Sequence, residues 1–182
     1  YIGRDLSNLG RLTYRSLVQF PVTEDKAKAD KPVADLATDT GKMSDGGKTW
    51  KFTIKDGVKW EDGKDITCAD FKYGLSRTFA TDVITGGPNY AIGFLDIPKK
   101  GDAPAYNGPY KKEGQAEFDK AVTCEGKTIT YKFNKAWPDF NLAVASLRAF
   151  DPYRKDQDKG DKSNYAVFSN GPYKLQGTWQ KG

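Results

Sequence analysis

The stretch from Ser44 to Gly63 constrains the fold of this chain more than any other part of its sequence. It opens on Ser44-Asp45-Gly46-Gly47, a combination typical of a tight turn. The large apolar side chains of Trp50, Phe52 and Ile54 then alternate with polar ones. This alternation predicts a β-strand with one buried face, because successive side chains of a strand point to opposite sides of the sheet.

Further elements are predicted on both sides of this strand. A second half-buried strand carries Ile129, Tyr131 and Phe133, which alternate with polar residues after the turn at Glu125-Gly126. Thr67 has the chemistry of a helix N-cap. The apolar face of the helix that follows is Cys68, Phe71, Leu75 and Phe79, and its end is expected near Ala80. Weaker patterns predict a helix from Leu9, with Leu9, Leu12 and Leu17 on one apolar face, and further helices over residues 113–122 and from Pro138. A strand is predicted to start at Tyr173.

The residue inventory excludes several classes of site. The chain has 182 residues, two cysteines and no histidine. A usual zinc site and a Ser-His-Asp or Cys-His nucleophile therefore cannot be assembled from it. The Asp56-Gly57 and Asp62-Gly63 pairs carry only part of a calcium-loop pattern, and we interpret them as backbone turns. We assign no catalytic residue, no metal ligand and no cofactor.

Charge and hydropathy restrict the partners. The net charge of +5 comes from scattered lysines, and the densest charged segments mix both signs. Nucleic-acid surfaces more often cluster Lys and Arg with aromatic residues between them, so no nucleic acid is expected as a partner. No apolar run approaches the ~20 residues of a membrane span. The chain opens on Tyr1-Ile2-Gly3 without a signal-like segment, so a targeting segment would have been removed from an exported protein.

An ordered series of motifs resembles the peptide-binding proteins of bacterial ABC importers. The series begins with Pro32-Val33-Ala34-Asp35-Leu36-Ala37, continues through the strand and turns from Ser44 to Gly63, and reaches the helix start Thr67-Cys68-Ala69-Asp70-Phe71. Later, Ser169-Asn170-Gly171-Pro172-Tyr173 resembles the Gly-Thr-Gly-Pro-Tyr segment of the family. On these motifs the chain is identified as a member of the family 5 extracellular solute-binding proteins, the oligopeptide, dipeptide and nickel group.

The resemblance extends from about Leu12 to Trp179, with two departures. Cys68 stands where the family has Ala or a similar small residue, and Asn170 stands where Thr is common. Both positions tolerate small polar residues, so neither departure argues against the fold.

The resemblance implies an α+β fold of the type II periplasmic-binding-protein-like, peptide-binding class. This chain would supply its small lobe, a mixed or antiparallel sheet with packed helices. Residues 1–31 are expected to belong to the large N-terminal lobe, 32–165 to the small lobe, and 166–182 to a strand that returns to the large lobe. Members of the family are much longer, so the chain is expected to be an N-terminal fragment without the C-terminal lobe.

Two interpretations of the cysteines remain open. Cys68 and Cys124 are either buried free thiols or a disulfide that joins a helix to a strand. In an exported protein the disulfide is favoured, because an isolated pair usually bridges in an oxidising compartment.

The resemblance also suggests ligand contacts. Tyr90 follows a Gly-Gly-Pro-Asn loop, in a region where the family places a tyrosine that faces the ligand cleft. The alternative for Tyr90 is a surface ring that packs on its own loop. Phe150 and Asp151, where the helix from Pro138 ends, are further candidates.

The function that the resemblance implies is capture of an extracellular peptide, or another small solute, for delivery to an ABC permease by a monomeric protein. The location would be the periplasm or the outer face of the cytoplasmic membrane, there with a lipid anchor. A secreted hydrolase and an adhesion or signalling module are the alternatives. The absence of histidine argues against the hydrolase, and the ordered motifs argue against the module. The identity of the solute stays open.

Overall fold

A four-stranded antiparallel sheet forms the centre of the fold. The computed structural model describes residues 3–85, 90–163 and 166–177. The strands, in chain order, are β1 Val18–Gln19, β2 Val33–Ala34, β3 Lys42–Ser44, β4 Thr49–Thr53, β5 Lys99–Lys100, β6 Ala103–Pro104, β7 Val122–Glu125 and β8 Thr128–Lys132. The central sheet has the order β3-β4-β8-β7, whereas β1 pairs with β2 and β5 pairs with β6 in two small ribbons.

Six α-helices accompany these strands in the described residues. They are α1 Gly3–Thr13, α2 Lys26–Ala29, α3 Cys68–Arg77, α4 Tyr90–Phe94, α5 Gln115–Ala121 and α6 Phe140–Ser146. The α+β fold with an antiparallel sheet is therefore confirmed. The two strands predicted from alternation are β4 and β8, and they are direct neighbours, with Trp50 opposite Tyr131 and Phe52 opposite Ile129.

Aromatic side chains from this pair of strands build the core. Trp50, Phe52, Tyr131 and Phe133 are all at most 5% exposed, as their alternation predicts. The ring of Phe140 from α6 packs edge-on against Trp50, Phe52, Tyr131 and Phe133, with centroids 4.7 to 6.2 Å apart across this cluster. Edge-to-face contacts between aromatic rings stabilise the packing of α6 on the sheet beyond the effect of apolar burial.

The start of α3 agrees with the sequence. Thr67 precedes the helix in an extended conformation, and its backbone amide and hydroxyl donate to the Asp70 carboxylate at 2.8 and 2.9 Å. Asp70 also suits the positive end of the helix dipole. The buried residues Cys68, Phe71 and Leu75 lie on the predicted face, and Phe79 just beyond the helix is buried as well.

Three local expectations need correction. Leu12 was placed on the apolar face of the first helix, yet it is 49% exposed, and the buried residues of α1 include Gly10 and Thr13. Val122 was placed in the helix over residues 113–122, but it begins β7. Residues 173–175 form no strand, because the amide of Tyr173 donates to the Leu12 carbonyl at the end of α1 instead of joining a sheet.

The two ends of the described chain meet beside α1. The Thr13 carbonyl accepts the backbone amides of Asn170 and Gly171, at 3.1 and 3.0 Å. The side chain of Asn170 adds two hydrogen bonds to the backbone of Arg15. Its oxygen accepts from the Arg15 amide, and its nitrogen donates to the Arg15 carbonyl. A Cβ atom on Gly171 would lie 2.6 Å from the carbonyl carbon of Thr13, so only glycine allows this approach.

Candidate functional site

A cavity of about 270 Å³ lies where α1, α3 and the segment after α6 come together. Its wall includes two tyrosines and the only acidic side chain of the lining, and the complete lining is Leu9, Gly10, Tyr14, Gly74, Arg77, Arg148, Asp151, Pro152 and Tyr153. An apolar cavity with a few polar groups is the usual form of a small-ligand site, although this volume is near the lower limit for one.

One wall of the cavity is formed where α3 packs closely against residues 151–153. The amide of Tyr153 donates to the Asp70 carbonyl at 3.0 Å. Gly74 faces the carbonyl oxygen of Asp151 so closely that a Cβ atom there would overlap it. Glycine at this point of the helix therefore lets the segment pass directly over α3 and brings Asp151 and Tyr153 to the cavity.

Asp151 is the acidic group of the site. Its residue is 8% exposed, and one carboxylate oxygen accepts a hydrogen bond from Arg148 at 2.9 Å. Burial raises the pKa of Asp151 to about 6, although the charge and hydrogen bond of Arg148 act in the opposite direction. Asp151 was predicted from the sequence as a ligand contact, and it does line the cavity.

Tyr14 is a neutral side chain at any ordinary pH. Burial raises the pKa of Tyr14 to about 12, and the nearby phenol of Tyr153 acts in the same direction. Tyr14 therefore offers a hydrogen-bonding hydroxyl and an aromatic surface without a charge.

Arg77 and Tyr153 separate this cavity from a second one. The Arg77 guanidinium stacks 3.8 Å from the centre of the Tyr153 ring, and its Nε donates to Asp158 at 3.0 Å. The second cavity, of about 230 Å³, lies on the other side of the stack and is lined by Arg77, Val83, Ile84, Thr85, Tyr153, Gly160 and Ser163. Since Asp158 neutralises Arg77, the stack acts as a rigid wall more than as a free positive charge.

The other two predicted contacts have different positions. Phe150 is fully buried, and its ring packs against Tyr131, Trp137 and Phe140 in the core. It lies directly behind Asp151 and supports the segment from inside. Tyr90 begins α4, but its side chain lies outside the described residues. Ligand contact by Tyr90, Phe150 and Asp151 stays a prediction.

Sequence reasoning missed most of the residues that line the cavity. Tyr14, Arg77, Arg148 and Tyr153 carry no motif of their own, and they come from parts of the chain that are far apart in sequence. The one usable signal is the position of Tyr153, two residues after the predicted Asp151.

The cysteines form a disulfide in the structure. Cys68 at the start of α3 is joined to Cys124 on β7, with the Cα atoms 5.8 Å apart. The bond connects the helix that supports the cavity to the edge of the central sheet, as the disulfide interpretation expects.

The described residues also bear on metal binding and on membrane insertion. Across residues 3–85, 90–163 and 166–177, no three Cys, His, Asp or Glu side chains are grouped as a metal site. Within the same residues, no helix combines the length and the apolar character that are needed to cross a membrane.

Comparison with solved structures defines the class of protein. The fold matches "Clavulanic acid biosynthesis oligopeptide binding protein 2" with a TM-score of 0.80 and 33% identity, over 91% of this chain and 29% of that one. It also matches "Listeria monocytogenes OppA bound to peptide" with a TM-score of 0.71 and 20% identity, over 94% of this chain and 31% of that one. The fold is thus a lobe of the periplasmic-binding-protein-like class to which these peptide-binding proteins belong.

The sequence comparisons then give the family. Residues 31–182 match the family described as "Bacterial extracellular solute-binding proteins, family 5 Middle", and the chain belongs to this family. Among curated proteins, it is 28% identical over 144 residues to the dipeptide-binding protein DppE of Bacillus subtilis. This match covers 73% of this chain and 23% of DppE. It is 31% identical over 133 residues to the oligopeptide-binding protein OppA of the same organism, over 71% of this chain and 23% of OppA. The chain spans about a quarter of the length of these relatives.

Proposed function

We propose that this chain belongs to the substrate-binding component of an ABC importer, which captures peptides outside the cytoplasmic membrane and delivers them to a permease. Membership of the solute-binding family is the observation that carries the proposal. The relatives named for dipeptide and oligopeptide binding support a peptide as the cargo. No enzymatic role is proposed, and a secreted hydrolase or an adhesion module remains the alternative.

The contacts between the chain ends support the division into lobes. We assign residues 1–31 and 166–182 to a large lobe and residues 32–165 to a small lobe. Thr13 and Asn170 lie in the two flanking parts, and their backbones hydrogen-bond to each other. This bond ties the two flanking parts together, as expected if both belong to one lobe. In this proposal a rotation of one lobe against the other would be absorbed where the chain passes between them.

In this proposal the 270 Å³ cavity takes part of the ligand. Tyr14, Tyr153 and Pro152 offer apolar surface, and Asp151 with Arg148 offers polar partners. Tyr90 would complete the ligand surface, and Phe150 would hold Asp151 in place. A cavity of this size accommodates one or two residues of a peptide, so most of the ligand would contact the rest of the protein.

Ligand binding by the full-length protein tests the proposal. The protein is purified without refolding and studied by native mass spectrometry, and a bound peptide is the expected result. Calorimetry with the same peptide on the 182-residue chain should show weak binding or none. A full-length protein that carries no peptide and binds none of a random peptide mixture would contradict the proposal, and turnover of a peptide or glycoside substrate would favour the hydrolase.

A pair of substitutions tests the role of Asp151 separately. Asp151→Asn should weaken peptide binding by roughly tenfold, the usual effect of losing a hydrogen bond to a charged group. Asp65→Asn is the control, since Asp65 is an exposed partner of Lys59. Unchanged affinity in the Asp151 variant would remove this residue from the site and leave the proposed function intact.

A permease partner, a monomeric state and an extracellular or periplasmic location are part of the same proposal. The permease contact is tested by co-purification of membrane proteins with the full-length protein, and a monomer is expected in sedimentation. An extracellular or periplasmic position, with or without a lipid anchor, is tested by fractionation and by mass spectrometry of the amino terminus.

A further inference from the structure

The disulfide joins two cysteines that differ in exposure. Cys68 is the first residue of α3, belongs to the hydrophobic core and is only 4% exposed. Cys124 is exposed, as is Glu125, which follows it on β7. The bond therefore connects a residue of the interior with a residue of the surface.

The position of β7 explains why Cys124 is exposed. This strand is the outermost one of the central sheet, and within the described residues it pairs only with β8. On β8, the residue opposite Cys124 is Ile129, which is fully buried. A residue on an edge strand has a strand on one side only, so a molecule from solvent can approach Cys124 from the side away from β8.

Cys68, in contrast, is enclosed by the core. Phe71 and Leu75 on the same face of α3 are fully buried, and the Thr128 carbonyl oxygen lies 3.6 Å from Sγ of Cys68. A free thiol at Cys68 has this carbonyl as an acceptor for its S–H, so it keeps a polar partner in the interior. A larger group attached to Cys68 would have to displace core side chains, which is unfavourable in a packed interior.

Thiol–disulfide exchange depends on this kind of difference. A thiolate attacks one of the two sulfurs and forms a mixed disulfide with it, and access helps to decide which sulfur is attacked. In this protein the exposed residue can be reached and can carry the added group. The buried residue can hold the thiol that the attack releases.

We propose that Cys124 is a thiol-exchange site of the folded protein, at which an external thiolate attacks while Cys68 is the leaving group. The thiolate forms a new S–S bond with Sγ of Cys124. The bond between the two cysteines breaks, its electron pair stays on Sγ of Cys68, and this thiolate takes a proton from water. A second external thiolate then attacks the external sulfur of the mixed disulfide and releases Cys124 as a thiolate. Two external thiols are thus oxidised to a disulfide while the protein disulfide is reduced.

The reverse sequence assigns the roles in bond formation. Cys124 attacks an external disulfide and carries the adduct, and Cys68 then displaces the external thiol. The exchanged bond anchors the start of α3, the helix that also carries Gly74 and Arg77 of the candidate cavity. The inference stands apart from the proposed transport function, since it uses only the exposure and surroundings of the two cysteines.

The position of the mixed disulfide in the unmodified chain tests the proposal. The folded chain is treated briefly with 2-mercaptoethanol, quenched with acid and digested with pepsin, and the adduct is located by mass spectrometry. About ten times more adduct is expected on Cys124 than on Cys68, because access decides which sulfur is attacked. The same treatment in denaturing urea is the control and should give similar amounts on both. Equal amounts in the folded chain, or an excess on Cys68, would overturn the proposal.

The urea dependence of the reduction rate gives a second measurement. Direct attack on the folded chain should change by less than about twofold on addition of about 1 M urea, well below the unfolding transition. Attack that requires prior unfolding should accelerate roughly fivefold or more, because urea shifts the unfolding equilibrium steeply. The steep dependence would contradict exchange in the folded state.

Single-cysteine variants provide an independent comparison. The Cys124 thiol that remains in Cys68→Ser should react with Ellman's reagent about tenfold faster or more than the Cys68 thiol that remains in Cys124→Ser. In denaturing urea the two rates should be similar. Equal rates in the two folded variants would refute the assignment. If either variant does not fold, the two measurements on the unmodified chain decide.

Discussion

Glu61 and Ser169 hold each other by two hydrogen bonds across the fold. The backbone amide of Glu61 donates to the Ser169 carbonyl at 2.9 Å, and the amide of Ser169 donates to the Glu61 carboxylate at 2.6 Å. The ring of Trp60 lies 5.6 Å from that of Phe168 beside them. The Asp-Gly turn of the family motif thus fastens the segment that follows residue 165, which gives these turn residues a structural role.

Removal of the Glu61 carboxylate should loosen this contact. Glu61→Ala leaves the Ser169 amide without its acceptor, so we expect the free energy of unfolding to fall by about 1 kcal/mol. Glu61→Gln keeps an acceptor oxygen and should lose less. Urea unfolding followed by tryptophan fluorescence measures both, with Glu24→Ala in the exposed loop as the control. Equal stability of the alanine variant and the unmodified chain would show that the contact contributes nothing.

A methyl group at residue 171 should separate the two chain ends. The Cβ atom of Gly171→Ala would lie 2.6 Å from the carbonyl carbon of Thr13, and the backbone there cannot move without losing hydrogen bonds. We expect a loss of roughly 1–3 kcal/mol, as for other overpacked sites. Hydrogen exchange of the backbone amide at residue 171 is the specific measurement, and it should be faster in the variant.

Gly93→Ala is the matched control for that substitution. Gly93 lies in α4, and a Cβ atom there meets nothing within 4 Å. Alanine favours a helix by about 0.5–1 kcal/mol over glycine, so this variant should be as stable as the unmodified chain or slightly more stable. Destabilisation by Gly93→Ala to the same degree would mean that the effect at Gly171 is not due to the close approach.

The disulfide should leave no free thiol and should contribute strongly to stability. Ellman titration of the unfolded, unreduced chain is expected to detect none, and two free thiols would refute the bond. Cys68 and Cys124 are 56 residues apart in sequence. Closing a loop of this length stabilises the fold by about 4 kcal/mol in the chain-entropy model, so the double Cys→Ser variant should unfold at much lower urea.

Acid should open the charged loop around Asp158. Burial alone would raise the pKa of Asp158, but hydrogen bonds from Tyr73 and Tyr110 outweigh it and hold the pKa below its usual value. The carboxylate therefore stabilises the fold above the pKa of an unfolded aspartate, about 4, and this contribution is lost as the pH falls further. Asp158→Asn should remove that part of the acid sensitivity.

Hydrogen exchange at Gly160 measures the role of Asp158 locally. The amide of Gly160 donates to Asp158 at 2.9 Å, so its hydrogen exchange should accelerate in Asp158→Asn at neutral pH. Asp161→Asn, in the same exposed turn, is the control and should leave that exchange unchanged. Protection of Gly160 that is the same in both variants would contradict the role of Asp158.

Local patterns explain why much of the fold was predictable. Alternation at Trp50, Phe52 and Ile54 and the cap at Thr67 depend on side chains within a few residues of each other, and both appear in the structure as expected. Leu12 shows the limit of such reasoning. Helical spacing predicts that its side chain is buried, but the packing of its neighbours leaves it 49% exposed.

Local patterns in the sequence predicted β4, β8 and α3, and the order of the motifs indicated the family. The sequence also indicated Asp151, because the end of a helix is a local signal. Arg148 on one oxygen of Asp151 is a contact three residues away in sequence, but the charge of Asp35 and the cavity shared with Tyr14 and Arg77 come from the tertiary packing. Asp35, Tyr14 and Arg77 lie far from Asp151 along the chain, and their meeting depends on how separate elements pack, a relation that no short stretch of residues encodes.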